Sequence, residues 1–148
     1  MEGALTAGFT GTRKGMSDEQ KYTLAHVLGY PRVCRFRHGD CIGADAEAAK
    51  LASEAQCYVL AHPATIIGQR AYSPFSDFTY ESKTPLLRNR DIVDQSDFLI
   101  ACPDDIHEKL RSGTWSTIRW ARRTRKPHII IYPDGTWWES DNMPILTP

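Results

Sequence analysis

The chain has 148 residues, with 18 lysines and arginines against 18 aspartates and glutamates, and 41% apolar residues. At roughly 100–200 residues per domain, one domain spanning 1–148 is expected, long enough to bury a core. A formal charge of zero excludes partner choice by global charge, as in a histone-like DNA binder, and no apolar run approaches a membrane helix.

Leu5 to Phe9 reads as a strand that breaks into the turn Thr10-Gly11-Thr12-Arg13-Lys14-Gly15. Ser17 then heads a capping box with Gln20, in which hydroxyl and amide each satisfy an orphan backbone N–H. That helix ends near Gly29, and Pro31 blocks its continuation. Val33 to Arg37 is a second strand. Ala48, Leu51, Ala52 and Ala55 fall on one face of a second helix, and Cys57 to Ala61 is a third strand. From His62 to Thr84 periodicity is lost, and a loop of this length is functional or mobile. Its rings, Tyr72, Phe75, Phe78 and Tyr80, form either a lid over a site or an outer packing surface. Pro85 suits the first turn of a helix running to about Gln95. Asp97 to Cys102 is a fourth strand. Ser112-Gly113-Thr114 opens a last helix, with Trp115, Ile118 and Ala121 at helical spacing. Lys126-Pro127 ends it, and His128 to Tyr132 is a fifth strand.

Strand–helix alternation with strands apolar throughout predicts a Rossmann-like three-layer α/β sandwich around a mainly parallel sheet of about five strands. In such sheets ligands bind beyond the carboxyl ends of the strands, at the switch point of the strand order. The polar motifs fall there. Gly8-Phe9-Thr10-Gly11-Thr12-Arg13 follows the first strand, and His38-Gly39-Asp40-Cys41-Ile42-Gly43-Ala44-Asp45 follows the second. Arg88-Asn89-Arg90 precedes the fourth strand, and Arg111-Ser112-Gly113-Thr114-Trp115 follows it.

Three of these segments are rich in glycine and hydroxyls and enter helices, where free N–H groups and the helix dipole favour an anion. Gly8, Thr10, Gly11, Thr12, Arg13, Gly39, Gly43, Arg90, Ser112, Gly113 and Thr114 are therefore the candidate phosphate-binding residues. Each has a plainer reading: Ser112 as an N-cap, Thr12 as a turn residue, an arginine as an ion-pair member. Convergence on one rim favours a phosphate- or nucleotide-bearing small molecule. No His/Asp/Glu set has metal-ligand spacing, so neither a metal nor a further cofactor is expected.

GFTGTR, HGDCIGAD, RNR and SGTW, in this order over roughly residues 5 to 135, resemble the SLOG superfamily. That group includes the lonely-guy (LOG) phosphoribohydrolases, the DNA-processing protein A domain and nucleotide-sensing domains of bacterial defence systems. The resemblance implies a Rossmann-like domain that binds nucleotides or their derivatives, often as a homodimer. It also implies that Arg88, nine residues before Asp97, occupies the place of the LOG catalytic arginine. The LOG motif PGGxGTxxE keeps its GT here as Gly113-Thr114, but its glutamate falls on Thr117. Glycoside cleavage through an oxocarbenium-like state needs a carboxylate that threonine cannot supply. The resemblance thus implies a nucleotide sensor, or an atypical N-glycosidase or deoxyribosyltransferase-like enzyme.

Asp40, Asp45, Glu47 and Asp104 are the carboxylates that stand near the rim, with Asp40 and Asp45 the candidate catalytic residues beside Arg88. Asp45 is equally read as a first-turn helix residue or as a contact to a ribose hydroxyl. His38 and His62, at strand ends, are read first as hydrogen-bonded rim residues.

Residues 111 to 126 hold Arg111, Arg119, Arg122, Arg123, Arg125 and Lys126 without an acid. This reads as a solvated helix face paired with acidic neighbours, or alternatively as a nucleic-acid-binding surface. Trp115 and Trp120, five apart, cannot share one helix face; Trp120 suits a homodimer contact. Cys34, Cys41, Cys57 and Cys102 lack CxxC spacing, which predicts buried free thiols. Met1-Glu2-Gly3 does not open a signal peptide, so a cytoplasmic protein without a membrane partner is expected.

Overall fold

The computed structural model describes residues 3–147. The elements run β1 (Leu5–Gly11), α1 (Asp18–Leu28), β2 (Val33–His38), α2 (Ala44–Glu54), β3 (Tyr58–Ala61) and β4 (Phe78–Thr79). They continue with α3 (Pro85–Asp94), β5 (Phe98–Cys102), α4 (Gly113–Arg123), β6 (His128–Ile131) and β7 (Trp137–Glu139). The strands form one sheet in the order β4-β3-β2-β1-β5-β6-β7, parallel except for β7. The fold is the Rossmann-like α/β sandwich that the alternation predicts.

Two edge strands extend the expected five. β7 returns from β6 through the turn Pro133-Asp134-Gly135-Thr136, in which Gly135 N–H donates to the Tyr132 carbonyl and the Asp134 carboxylate accepts from Thr136 N–H. Pro-Asp-Gly is a turn signal with a mechanism, one that the expectation of about five strands left out. β4 has two residues and no periodicity to reveal it. Asp77 holds it, accepting from Val59 N–H at 2.7 Å, while Tyr80 N–H donates to the Ala61 carbonyl.

α1 and α2 cover one face of the sheet; α3 and α4 cover the other. Phe9, Phe36 and Phe98 pack beneath the first pair with Leu24, Leu28, Ala48 and Ala52. Beneath the second pair lie two smaller clusters, Ile92, Val93, Leu99 and Ala121, and Ala101, Trp115, Ile118 and Ile130. All five residues of β5 are buried, because helices cover both its faces. Ser17 caps α1 as predicted, its hydroxyl accepting from Gln20 N–H while the Gln20 side chain accepts from Ser17 N–H. Among the cysteines Cys57 and Cys102 are buried, Cys41 is half-buried, and Cys34 is exposed, against the expectation of burial. Cys34 is the residue skipped where the β1–β2 register shifts, between Val33 paired with Leu5 and Arg35 paired with Thr6, so an apolar run did not decide its face.

Candidate functional site

β1 pairs with β2 on one side and β5 on the other, and the crossovers diverge from it. At the carboxyl ends of these strands lies a cavity of about 640 Å³. Phe9 to Gly11 at the end of β1 and Thr12 to Lys14 from the turn after it form one wall, and Gly39, Cys41 and Ile42 from the β2–α2 turn with Asp45 of α2 form a second. Asp104, Lys109 and Arg111 to Thr114 close the side toward α4, and Pro85, Arg88, Asn89 and Ile92 line it from α3. Ile66 and Gln69 reach in from the long segment before α3. Of the predicted phosphate-binding residues, Thr10, Gly11, Thr12, Arg13, Gly39, Ser112, Gly113 and Thr114 thus share one cavity.

The first two turns are interlocked. Ala44 N–H, at the start of α2, donates to the Thr12 carbonyl at 3.0 Å. Gly43 caps α2 at φ 89°, and a Cβ there would stand 2.3 Å from the Arg13 carbonyl oxygen. A side chain is excluded on both counts. Gly43 therefore shapes the wall and is not itself among the lining residues. Gly8 serves packing: a Cβ there would meet Ser96 Oγ at 2.6 Å, so the glycine lets α3 approach β1.

Arg88 is buried, and its hydrogen bonds are internal. Nη1 donates to the carbonyls of Gly39 at 2.6 Å and His62 at 3.2 Å, and Nε donates to Asn89 Oδ1 at 2.7 Å. The guanidinium thus braces two strand-end turns. Asp45 lies beside it, accepting from Cys41 N–H at 3.1 Å. Burial pushes its pKa up to about 6, against the lowering pull of Arg88 and the backbone N–H groups of Cys41 and Gly39. Asp45 is the cavity's one buried carboxyl group among the described residues.

Asp40 does not line the cavity. It is buried at φ 53°, bonded to Arg70 Nε at 2.9 Å and Ser73 N–H at 3.0 Å, and its carbonyl accepts from Ala71 N–H. Its carboxylate, the predicted catalytic candidate, is engaged in anchoring the long segment. The lid reading also changes, because none of the four rings lines the cavity. Tyr72 lies beneath the Arg70 guanidinium, and Tyr80 stacks on His62 with ring centroids 4.4 Å apart. Wall residues come instead from Ile66 and Gln69, which no aromatic pattern marked.

His38 accepts from Asp40 N–H at Nδ1 and donates from Nε2 to Ser76 Oγ at 2.9 Å. His62 Nε2 accepts from Arg37 at 3.0 Å. Burial lowers both pKa values to about 4. Both are hydrogen-bonded rim residues, outside the cavity. Glu47 is likewise consumed, by Met16 N–H at 2.7 Å and Lys21 at 3.0 Å.

On the α4 side, Ser112 Oγ caps the helix by accepting from Trp115 N–H at 3.2 Å. A Cβ added to Gly113 would meet nothing within 4 Å. Thr117 is buried, donates its hydroxyl to the Gly113 carbonyl at 2.9 Å, and does not line the cavity. Arg13, Lys14, Arg88, Lys109 and Arg111 face only Asp45 and Asp104 across the cavity, so its lining is cationic. Among the described residues no carboxylate pairs with Arg13 or Arg111. Lys109 carried no motif of its own, although it stands two residues before Arg111.

Arg90, predicted among the phosphate-binding residues, lies outside the cavity, its guanidinium 4.1 Å over the Trp120 ring. Trp120 Nε1 donates to Asp94 at 2.9 Å. Arg119 and Arg122 pair with Glu108 at 2.9 and 2.8 Å, and Lys126 donates to the Ser96 carbonyl. The basic segment is thus partly neutralised within its own chain. Among the described residues no group of three or more His, Cys, Asp or Glu could hold a metal ion. No helix of the described residues is long and apolar enough to cross a membrane.

No protein-family model matches the chain, and neither does any curated protein sequence. Solved structures do. A molybdenum cofactor binding protein from the phototrophic bacterium Rippkaea orientalis superposes with a TM-score of 0.65 at 20% identity, over 89% of this chain and 78% of that one. The Moco carrier protein from Chlamydomonas reinhardtii gives a TM-score of 0.59 at 21% identity, over 88% of this chain and 76% of that one. At these identities the likeness establishes the Rossmann-like fold.

Proposed function

We propose that this chain is a SLOG-type binding domain whose cavity takes a phosphate-bearing small molecule, a nucleotide or a nucleotide-like cofactor. One observation carries this reading: turns from β1, β2 and β5 converge at the switch point on a cavity with an excess of cations. A volume of about 640 Å³ falls within the roughly 300–1,000 Å³ of small-molecule sites. The cap of α4 and the unpaired Arg13 and Arg111 suit a phosphate at the rim. Ile42, Ile66 and Pro85 offer apolar surface to a heterocycle, and Asp45 and Asn89 offer polar contacts to its edge.

The motifs favour nucleotides as ligands; the two structural neighbours, named for binding or carrying the molybdenum cofactor, make that group the second candidate. The cationic lining suits an anionic cofactor, and Arg13, Arg111 and the Ser112–Thr114 turn would hold it. Binding without turnover fits best, because α4 supplies no carboxylate to the cavity and Asp40 is consumed elsewhere. A cytoplasmic homodimer remains the proposed state. The nucleic-acid reading loses support from the pairing of Arg119 and Arg122 with Glu108.

The test is a thermal-shift panel of nucleoside mono- and diphosphates, NAD, ADP-ribose and the molybdenum cofactor, with mass spectrometry of every hit. A ligand that binds only the folded state raises the melting temperature by mass action. Saturable stabilisation without cleavage is the expected result. A flat panel across all of these compounds would overturn the reading.

A further inference from the structure

The cationic end of the cavity already contains an anion of its own. Asp104, on the loop between β5 and α4, bonds through Oδ2 to Lys14 Nζ at 3.1 Å and through Oδ1 to Lys109 Nζ at 3.0 Å. Lys14 belongs to the β1–α1 turn, so this carboxylate ties the two phosphate-type turns together across the cavity. All three side chains line it. Lys14 is 78% exposed and Lys109 44%, whereas Asp104 is only 22% exposed. The two ammonium groups hold the Asp104 carboxyl below the usual carboxylate range, so it stays ionised at neutral pH. Each oxygen of one planar anion thus takes one lysine, while Arg13 and Arg111 beside them have no carboxylate partner.

We propose that Asp104 is a built-in competitor for the ligand's phosphate, occupying Lys14 and Lys109 in the free protein and yielding them when a more highly charged anion enters. The inference rests on the phosphate-binding reading above and adds a residue that sets its affinity and selectivity. Ion pairs this exposed are weak, so exchanging one for a phosphate contact is energetically accessible. A monoanion such as a sulfonate or carboxylate would replace Asp104 with no gain in charge. A phosphate monoester or pyrophosphate brings more charge and more acceptor oxygens. Asp104 therefore discriminates in favour of multiply charged ligands. The residual repulsion between the displaced carboxylate and the bound anion lowers affinity even for those.

Asp105 supplies the internal control. It follows Asp104 on the same loop, carries the same charge, is more exposed at 41%, and reaches Lys109 only at 4.0 Å. Removing it changes net charge by the same amount but leaves Lys14 and Lys109 both bonded to Asp104.

The experiment titrates inorganic pyrophosphate calorimetrically at low ionic strength into wild type, Asp104→Asn and Asp105→Asn, with thermal unfolding to verify folding. Asp104→Asn is expected to bind about five-fold or more tightly than wild type, and Asp105→Asn within about two-fold. Lys14→Gln should bind more weakly than wild type, and Lys14→Gln in the Asp104→Asn background should lose most of the gain. Equal or weaker binding by a folded Asp104→Asn protein would overturn the proposal. So would equal tightening by the two aspartate variants, since that is a charge effect at a distance. Absence of pyrophosphate binding in all the proteins, Asp104→Asn included, would overturn the phosphate-binding reading and this inference with it.

Discussion

The Arg88 guanidinium donates to the Gly39 carbonyl oxygen at 2.6 Å, and a Cβ on Gly39 would stand at the same distance from that guanidinium nitrogen. The glycine and the arginine are thus one fitted pair, joining α3 to the end of β2. A residue placed by its spacing at the catalytic position of the LOG enzymes is held here by backbone carbonyls.

Arg88→Ala should accordingly act on stability. It removes the guanidinium from two buried carbonyls, leaving Gly39 only the weak Cys41 thiol contact, and leaves Asp45 without its cation, which costs about 2–4 kcal/mol. Urea unfolding at pH 7 measures this. Adding Asp45→Asn should recover part of the loss, because the uncompensated carboxylate is removed. A single variant as stable as wild type would show that the brace carries no energy.

Acid sensitivity follows from the buried histidines. His38 and His62 titrate near 4 in the folded chain, below their ordinary 6.5, so the unfolded chain binds more protons between those values. Their contribution is full above pH 6.5 and is lost as pH falls toward 4. Asp45, raised from 3.8 to about 6, acts in the opposite sense over nearly the same interval. Two groups outweigh one. Stability should fall from pH 6.5 to 4.5, less steeply in His38→Gln and more steeply in Asp45→Asn, as read from urea midpoints across that range.

Gly43→Ala should damage the cavity and the fold together. Its φ of 89° is strained for alanine, and the new methyl would collide with the Arg13 carbonyl. The cost is about 2 kcal/mol or more, with weakened pyrophosphate binding as the β1–α1 turn is displaced. Gly113→Ala, which has open space around its Cβ position, should leave stability within about 1 kcal/mol. Equal losses in the two variants would contradict this distinction.

Wild type should release no free base from AMP, GMP, CMP or UMP at the rates of LOG enzymes. Losing a positioned acid/base group costs about 10²–10⁴-fold. Thr117→Glu should not restore the reaction, since Thr117 is buried and lies away from the cavity lining. The carboxylate would instead destabilise α4. Chromatographic assay of base release by both proteins decides the point, and robust turnover by wild type would refute it.

Element order, the parallel sheet and the gathering of the glycine turns on one edge are properties of local sequence. Hydrophobic period, the Ser17 capping box and the Ser112 cap each act within a few residues, and strand–helix alternation then leaves few topologies. The Pro-Asp-Gly turn before β7 was equally local. Side-chain commitment was not. Asp40 is claimed by Arg70, thirty residues away, and Arg88 by a carbonyl forty-nine residues away. Arg90 turns to Trp120, and Tyr80 turns to His62. Spacing fixes where a Cα stands on the rim. A long polar side chain then goes to whichever buried partner most needs it, because an unpaired buried polar group costs more than an exposed one. Those partners come from distant segments. Only the tertiary structure decided which rim residues face the cavity and which are consumed in holding it open.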